Sequence, residues 1–310
     1  MKNTIKLTIV ALLLGASSLM AQNAEVYTKP LGVVKHTLKA GQFNLVGLTL
    51  HNPTLVAGSF TTVSGTTLTD SKVNFDSALT AGKTYILEIT DAADPALNGT
   101  IQEITSWSGN AITTPVDLVA YGLSVGDKYQ LREVATLQQI FGTPPIIKST
   151  ASVSSSDVVW VPDENGEYVK YFYKSSLIGS GSWYNVVTNT KVDGDIPIVY
   201  TDAIMVEVKP ASPDVDLVLT GSVKTDDISI AVINGFNLVS SIYPVGATLQ
   251  NSGIAADLKS TASPTSSDMV WLPDNSGGFV QYYYKTPLIG SPGWYNQTVG
   301  APVSDDVVLP

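Results

Sequence analysis

Six aromatic residues lie at matched positions in two similar stretches of the sequence, and they are the side chains best suited to bind a ligand: Trp160, Tyr171, Trp183, Trp271, Tyr282 and Trp294. On an exposed flat face such rings would stack against sugars, as in exported carbohydrate-binding modules. The alternative is that they fill a small core, where each ring buries roughly 150–250 Å². We favour the core, because both faces of a small sheet need large rings where Leu and Ile are scarce.

Acidic residues in the same stretches lack the spacing of a calcium site. An EF-hand loop needs Gly at its sixth position, whereas the run Asp163-Glu-Asn-Gly166 places Gly fourth. The second stretch has Asn275, Ser276 and Gly278 at the positions of Glu164, Asn165 and Glu167. Acidic runs at 193–195 and 226–227 are more typical of turns. We therefore predict no metal ligands and no cofactor.

Catalytic chemistry has little support in the sequence. His36 lies in an alternating, strand-like run and His51 precedes Asn-Pro, a turn, so neither has a recognisable nucleophile beside it. A glycosidase needs two carboxylates roughly 5–10 Å apart, and no spacing among the 27 acidic residues points to such a pair. We predict no catalytic residues, and a hydrolase is the least favoured alternative.

The charge balance excludes several classes of protein. Of the 17 Lys and Arg residues only Arg132 is an arginine, and with 27 Asp and Glu the formal net charge is −10. An acidic surface with a single guanidinium is a poor partner for a phosphate backbone, so we predict no nucleic-acid binding. The lack of Cys rules out disulfides, thiolate metal sites and Cys nucleophiles.

The first residues have the pattern of a secretory signal. Lys2 and Lys6 precede an apolar run from Leu7 to Leu14, which is followed by small residues and a predicted cleavage point after Ala21. The run is too short to span a bilayer; a buried N-terminal strand is the alternative. With residues 1–21 as a signal peptide, we predict an exported protein (periplasmic, cell-surface or extracellular) without a transmembrane segment.

The elements that would position these residues are predicted to be β-strands. Charged residues make up only 14% of the chain, against roughly 25% in an average domain, and Val, Thr, Ile, Tyr and Ser dominate over helix formers. Within residues 157–174, a strand-like run, an Asn-Gly turn and an alternating return strand predict a hairpin. One or two helical turns are expected over Thr136–Phe141, and others in a similar position over Leu249–Leu258.

An internal duplication organises the chain. Residues 148–185 align without a gap with residues 259–296 at a constant offset of 111, with 24 identities in 38 positions. A looser match joins Gly41–Val46 to Asn234–Val239, and both segments contain Phe-Asn-Leu-Val. Each module is therefore predicted to open with a Phe-Asn-Leu-Val strand and to continue into the block of Trp and Tyr residues.

The first copy is interrupted by about eighty residues with short strand-like runs separated by turns, which is typical of a small barrel or sandwich. We predict an all-β protein with two duplicated sandwich-like modules and a small β-barrel-like domain inserted in the first. Module 1 is predicted to span 25–53 plus 134–212, the inserted domain 54–133 and module 2 213–310. The segment Pro210–Pro213 is the predicted linker.

The opening Phe-Asn-Leu-Val, the Asp-Val-Val-Trp hairpin and the Trp-Tyr-Asn strand resemble secreted bacterial and archaeal modules that begin Gly-Trp-Asn-Leu-Val-Ser. The two-copy arrangement, with Pro30–Val34 before the first opening strand, looks like a family of exported β proteins associated with the Verrucomicrobia. This resemblance covers nearly the whole mature chain, although Phe43 and Phe236 stand where the broader modules have Trp. The family has no known activity, so the resemblance implies no catalytic residues.

The two modules differ after their Trp-Tyr-Asn strands. In module 1 the strand-like run Ala203–Val208 follows, and the equivalents of Ile204–Val208 at the offset of 111 would be positions 315–319 of a chain of 310 residues. We expect 203–208 to pair within the sheet of module 1 and the matching edge of module 2 to be empty. Truncation is the favoured explanation, and a strand donated by another chain is the alternative.

These features predict an exported, non-catalytic structural or adhesive protein of the cell surface or matrix. The alternative is a glycan-binding module that uses the six aromatic residues. The expected partners are cell-surface or matrix components, or a polysaccharide, together with a strand-donating chain at the edge of module 2.

Overall fold

The computed structural model describes residues 30–163, 167–176, 178–199, 202–224, 228–230, 232, 234–243, 246–274, 277–303 and 307–309. The predicted signal peptide, residues 1–21, lies outside these residues, as does the hairpin tip at 164–166. Strand makes up 42% and helix 9%, in several antiparallel sheets. The predicted all-β composition is therefore confirmed.

The strands follow the described chain in this order: β1 (Leu31–Leu38), β2 (Phe43–Gly47), β3 (Leu50–His51), β4 (Thr54–Ser59), β5 (Thr62–Ser64), β6 (Thr67–Thr69), β7 (Tyr85–Asp91), β8 (Ile101–Glu103), β9 (Ser106–Ser108), β10 (Ala111–Thr113), β11 (Lys128–Glu133), β12 (Ala135–Thr136), β13 (Val158–Pro162), β14 (Tyr168–Lys174), β15 (Ser182–Asn185), β16 (Lys191–Val192), β17 (Pro197–Ile198), β18 (Ala203–Glu207), β19 (Val215–Val223), β20 (Val270–Pro273), β21 (Phe279–Lys285) and β22 (Gly293–Asn296). Short α-helices are α1 (Phe75–Ala78) and α2 (Leu137–Phe141). Single 3₁₀ turns cover Pro95–Leu97, Val119–Tyr121, Val153–Ser155, Ile254–Ala256 and Pro264–Ser266. The helical turns predicted over 136–141 and 249–258 are thus present.

Module 1 contains two larger antiparallel sheets and the two-stranded sheet β12-β17. The larger sheet has six strands in the order β16-β15-β14-β13-β18-β2, and the other has three strands in the order β1-β19-β3. Val159, Ile204 and Val206 of the larger sheet are buried in one cluster with Leu217 and Leu219 of β19. The cause is the period-two alternation of the strands, which places the apolar residues of each sheet on one face.

Strand β19 lies beyond the predicted linker and nevertheless belongs to a sheet of module 1. It pairs antiparallel with the whole of β1, from Val215 opposite Leu38 to Ser222 opposite Leu31. Residues 215–223, which the predicted boundary assigns to module 2, therefore lie with module 1. Without β19, β1 would have no hydrogen-bonded neighbour in its sheet, and its backbone groups would be left unpaired.

Residues 54–133 surround a separate apolar cluster that contains Phe60, Phe75 and Tyr129. Two four-stranded sheets enclose it, with the orders β5-β6-β10-β9 and β4-β11-β7-β8. The predicted barrel is corrected here, because the described residues form no closed barrel. In the described part of the chain no strand belongs to both sheets, so the two sheets are not joined into one closed sheet.

Module 2 contains the three-stranded sheet β20-β21-β22. Trp271 lies opposite Gln281 as Trp160 lies opposite Lys170, so the predicted hairpin is confirmed in both copies. In module 1, β18 pairs with β13 on one side and with β2 on the other, as predicted for 203–208.

The equivalent edge of module 2 is different. In the described part of the chain β20 pairs with β21 alone. Residues 307–309 pair elsewhere: the Leu249 amide donates to the Val307 carbonyl at 3.0 Å, and the Leu309 amide donates to the Ala247 carbonyl at 2.8 Å. The other edge of β20, away from β21, is therefore without a strand among the described residues.

Candidate functional site

Three of the six predicted aromatic residues are buried: Tyr171, Trp183 and Trp294. The Trp183 ring lies near Tyr173 and Phe141, with centroid distances of 5.5 and 6.2 Å. Trp294 meets Tyr284 nearly edge to face at 5.5 Å. Rings packed in this way fill the interior of a module and present no face to a ligand.

Trp160 is half-buried on the opposite face of the larger sheet. Its ring meets Phe43 edge to face at 5.4 Å, and the Lys170 ammonium lies 3.8 Å from the ring centroid. Phe43 is on β2 and Trp160 is on β13, so this ring contact reaches across β18, which lies between them. A phenyl ring and a cation cover the indole, which leaves little of it for a ligand.

The matching surface of module 2 is more exposed. Phe236, Trp271 and Phe279 form what we call the aromatic cluster, in which Trp271 is 5.5 Å from Phe236 and 6.2 Å from Phe279 between ring centroids. Trp271 is 43% exposed and Phe236 is 88% exposed. Tyr282, the remaining predicted residue, is half-buried on β21.

Sequence reasoning included Trp271 and missed the two phenylalanines beside it. The sequence signal that could have identified them is the set of differences between the two copies when they are aligned at the offset of 111. Gln281 replaces Lys170, which removes the cation over the indole, and Phe279 replaces Tyr168, which removes a hydroxyl from the ring at that position. The cluster is thus the point at which module 2 departs from module 1.

A second exposed feature occurs in both copies, in the loop before each Trp-Tyr-Asn strand. Both loops contain Leu-Ile-Gly-Ser. Ile178 in the first is 92% exposed, and Leu288 and Ile289 in the second are 99% and 94% exposed. We call these the apolar loops. Fully exposed Leu and Ile side chains contribute nothing to a core, and adjacent exposed apolar residues are a feature of interaction sites.

A buried carboxylate attaches the segment that follows β18 to the start of β13. Asp157, just before β13, accepts hydrogen bonds at Oδ1 from the Lys209 amide at 2.9 Å and the Ser212 hydroxyl at 2.7 Å, and at Oδ2 from the Lys148 amide at 2.8 Å. The equivalent Asp268 is exposed. Among the described residues it accepts at Oδ2 from the Lys259 amide at 2.8 Å, and its Oδ1 has no donor.

Other ionisable groups lie in structural surroundings. Glu88 contacts Lys224 and Arg132 in the interior, with Arg132 Nε 3.7 Å from the carboxylate. Burial raises the pKa of Asp202 to about 6. Burial, and secondarily the charge of Asp202, raises the pKa of Tyr168 to about 12.

Both histidines lie on strands: His36 is in a strand as predicted, and His51 is the last residue of β3, directly before the Asn-Pro sequence. His36 is half-buried in β1, and burial lowers its pKa. His51 is buried in β3. The part of the chain that the structure describes holds no group of three His, Asp or Glu side chains able to bind a metal ion.

Among the described residues no helix is both long enough and apolar enough to cross a bilayer. Comparison of the chain with protein-family models, with curated proteins and with solved structures finds no match.

Proposed function

We propose that this chain is an exported, non-catalytic structural or adhesive protein of the cell surface or matrix. Its two modules are copies of one sandwich-like unit, and the inserted domain extends the first copy. We further propose that the chain is related to the exported two-copy family that it resembles, and that residues 1–21 are removed during export. Secretion of the protein from its host with Gln22 as the first residue, determined by mass spectrometry, would support export.

The apolar loops are the observation that carries this proposal. Ile178, Leu288 and Ile289 are nearly completely exposed at equivalent places of the two copies. Transfer of each such side chain from water to an apolar contact is favourable by roughly 1.5–3 kcal/mol. Two apolar contact points on one chain can act together, which increases attachment beyond that of either point alone.

The test is adhesion of the purified protein to an alkyl-coated sensor and to a hydrophilic sensor. We expect retention on the alkyl surface, and loss of most of it when Ile178, Leu288 and Ile289 are all replaced by Ser. Val187→Ser is the matched control, because Val187 is 81% exposed outside the apolar loops. Equal retention of the triple variant and the control would contradict the proposal.

The aromatic cluster favours glycan binding as the second candidate function. Trp271 and Phe279 are adjacent exposed rings of the kind that stack on sugars, whereas Trp183 and Trp294 are in the interior. A glycan array should then give a signal that Trp271→Ala abolishes and Tyr121→Ala preserves, since Tyr121 is an exposed ring elsewhere on the chain. Signals lost equally in both variants, or absent from the unmodified protein, would remove this candidate.

A further inference from the structure

The inference concerns three polar side chains buried between the inserted domain and module 1, which we call the buried polar site. Glu88, Gln130 and Lys224 are each 5% exposed or less, and their functional groups meet in the interior. Glu88 is on β7 and Gln130 is on β11, whereas Lys224 directly follows β19 of module 1. A primary amine and a carboxamide, with a carboxylate between them, are groups from which a side-chain amide bond can form.

Strand alternation explains why these side chains face module 1. On β7, Leu87 belongs to the apolar cluster of the inserted domain, whereas Ile86 belongs to that of module 1. Glu88 follows Ile86 at the period-two spacing of a strand, so it lies on the module 1 side of the sheet. Gln130 is the register partner of Glu88 on β11 and shares that side. Lys224 reaches the same place from the end of β19.

The carboxylate of Glu88 keeps the amine and the carboxamide next to each other. Its Oε1 accepts from the Lys224 ammonium, and its Oε2 accepts from Gln130 Nε2 at 2.8 Å. Because an ionised carboxylate only accepts hydrogen bonds, the NH₂ group of Gln130 is the one that faces it. The nitrogen that could attack and the nitrogen that could leave are therefore bound to the two oxygens of one carboxyl group.

The carbonyl group of the same carboxamide has a donor of its own. The Thr54 hydroxyl donates to Gln130 Oε1 at 2.8 Å. Attack by an amine turns a carbonyl oxygen into an oxyanion, and a donor already placed at that oxygen stabilises the developing charge. The site with Thr54 therefore provides a nucleophile, a proton carrier, an electrophile and an oxyanion donor.

The surroundings favour the reactive form of Lys224. An amine attacks only in its neutral form, and burial favours that form. Arg132 lies with its Nε 3.7 Å from Glu88 Oε2, and arginine stays protonated in proteins. Glu88 therefore keeps a cationic neighbour when Lys224 gives up its proton. The same burial keeps water, the competing nucleophile, away from the carboxamide.

We propose that Lys224 and Gln130 form an intramolecular isopeptide bond, with Glu88 as the proton carrier. Glu88 accepts a proton from the Lys224 ammonium, and the neutral Nζ attacks Cδ of Gln130. Glu88 passes that proton to Nε2 as the Cδ–Nε2 bond breaks, and the second proton that Nζ gives up leaves with the departing ammonia. The ammonium and the carboxamide thereby become one secondary amide and one ammonium ion, so atoms and charge balance without a further reactant.

The bond joins the inserted domain to module 1 in a chain that has no Cys and therefore no disulfide. It connects β11 to the residue after β19, the strand that pairs with the whole of β1. A crosslink between residues far apart in the sequence stabilises a fold mainly by restricting the unfolded chain. No step of this reaction uses the apolar loops, so this inference and the adhesive function can fail independently.

The test is the intact mass of the full chain, purified in the folded state and measured after denaturation. We expect a mass lower by one ammonia than that calculated from the sequence. Trypsin should release fragment 129–132 attached to a fragment that is uncut after Lys224. Lys224→Arg keeps the charge but should have the full mass. Lys128→Arg is the matched control and should retain the loss, since Lys128 pairs with Asp91 at the surface.

Glu88→Gln should also have the full mass, because an amide at this position cannot carry the proton. Circular dichroism establishes that the variants are folded, and the linked fragment is measured on the unmodified chain, whatever the variants do. An unmodified chain of full mass would overturn the proposal. A mass lower by one water would assign an amide between Lys224 and Glu88 instead, and would exclude Gln130 as the partner. Ammonia lost equally from Lys224→Arg would place the reaction elsewhere, for example in cyclisation of an N-terminal Gln22, and would also contradict the proposal.

Discussion

The Ser212 hydroxyl donates a hydrogen bond of 2.7 Å to Oδ1 of Asp157, and both residues are buried. The same oxygen accepts from the Lys209 amide. The segment after β18 is thereby attached to the start of β13, which lies beside β18 in the sheet. These charge-assisted hydrogen bonds hold β18 beside β13, in addition to the backbone pairing of the two strands.

Replacement of Asp157 by Ala should destabilise the protein by about 3 kcal/mol, because three donors, one of them buried and two partly buried, lose a charged acceptor. Asp268→Ala is the matched control. It should cost about 1 kcal/mol or less, since Asp268 is exposed and, among the described residues, its carboxylate accepts from the Lys259 amide alone. Urea unfolding followed by tryptophan fluorescence measures both variants. Similar losses in the two would contradict the role of Asp157 in holding β18.

The buried contact between Glu88 and Lys224 connects the inserted domain to the segment that follows β19. Lys224→Met should cost about 3–5 kcal/mol, because removal of one partner of a buried pair leaves the other desolvated. The pair Lys128–Asp91, at 2.7 Å, is exposed on both sides, so Lys128→Met should cost less than about 1 kcal/mol. Thermal unfolding of both variants tests this, and a minor loss for Lys224→Met would contradict it.

Asp202 should make stability depend on pH. Its folded pKa of about 6 lies above the ordinary value, so the folded state binds more protons than the unfolded state between about pH 4 and 6. The contribution of Asp202 to the free energy of unfolding therefore falls as the pH rises from about 4 to 6. Asp202→Asn should match the unmodified protein near pH 4 and exceed it above pH 6 in urea midpoint. The control variant Asp257→Asn should have no such pH-dependent difference in urea midpoint from the unmodified protein.

Gly221 in β19 leaves no space for a side chain. A Cβ there would lie 2.7 Å from the His51 carbonyl oxygen and 3.0 Å from its amide nitrogen, both backbone atoms of β3. Gly221→Ala should therefore cost about 1–3 kcal/mol through overpacking. Gly293→Ala, in β22 with no atom within 4 Å of the Cβ position, should change stability by less than about 0.5 kcal/mol. Equal effects in thermal unfolding would contradict the steric argument.

Local features of the fold were predictable where the residues of one short segment are enough to determine its structure. The β13–β14 and β20–β21 hairpins follow from alternating strands around turn residues, and their registers agree with that pattern. Helix α2 has a capping box between Thr136 and Gln139, which fixes its start within the sequence itself. The pairing of 203–208 was predictable because the duplication supplied a comparison.

The candidate site was only partly predictable. Trp183 and Trp271 both lie in strand-like runs, yet Trp183 is in the interior and Trp271 is 43% exposed. A strand pattern states which residues share a face, but burial depends on what else covers that face. Phe236 reaches Trp271 from more than thirty residues away in the chain, so their contact is a result of folding that no local window contains.

The amino-acid sequence determined the β class, the turns, the duplication and the positions of rings on each strand, because these depend on near neighbours and on period-two alternation. Tertiary structure alone decided that β19 pairs with β1 across the predicted linker, that the inserted strands form two sheets, and that Phe236 and Trp271 come into contact. Pairing between distant strands depends on which partner satisfies the backbone groups and covers the apolar face, and that choice is made only by the folded chain.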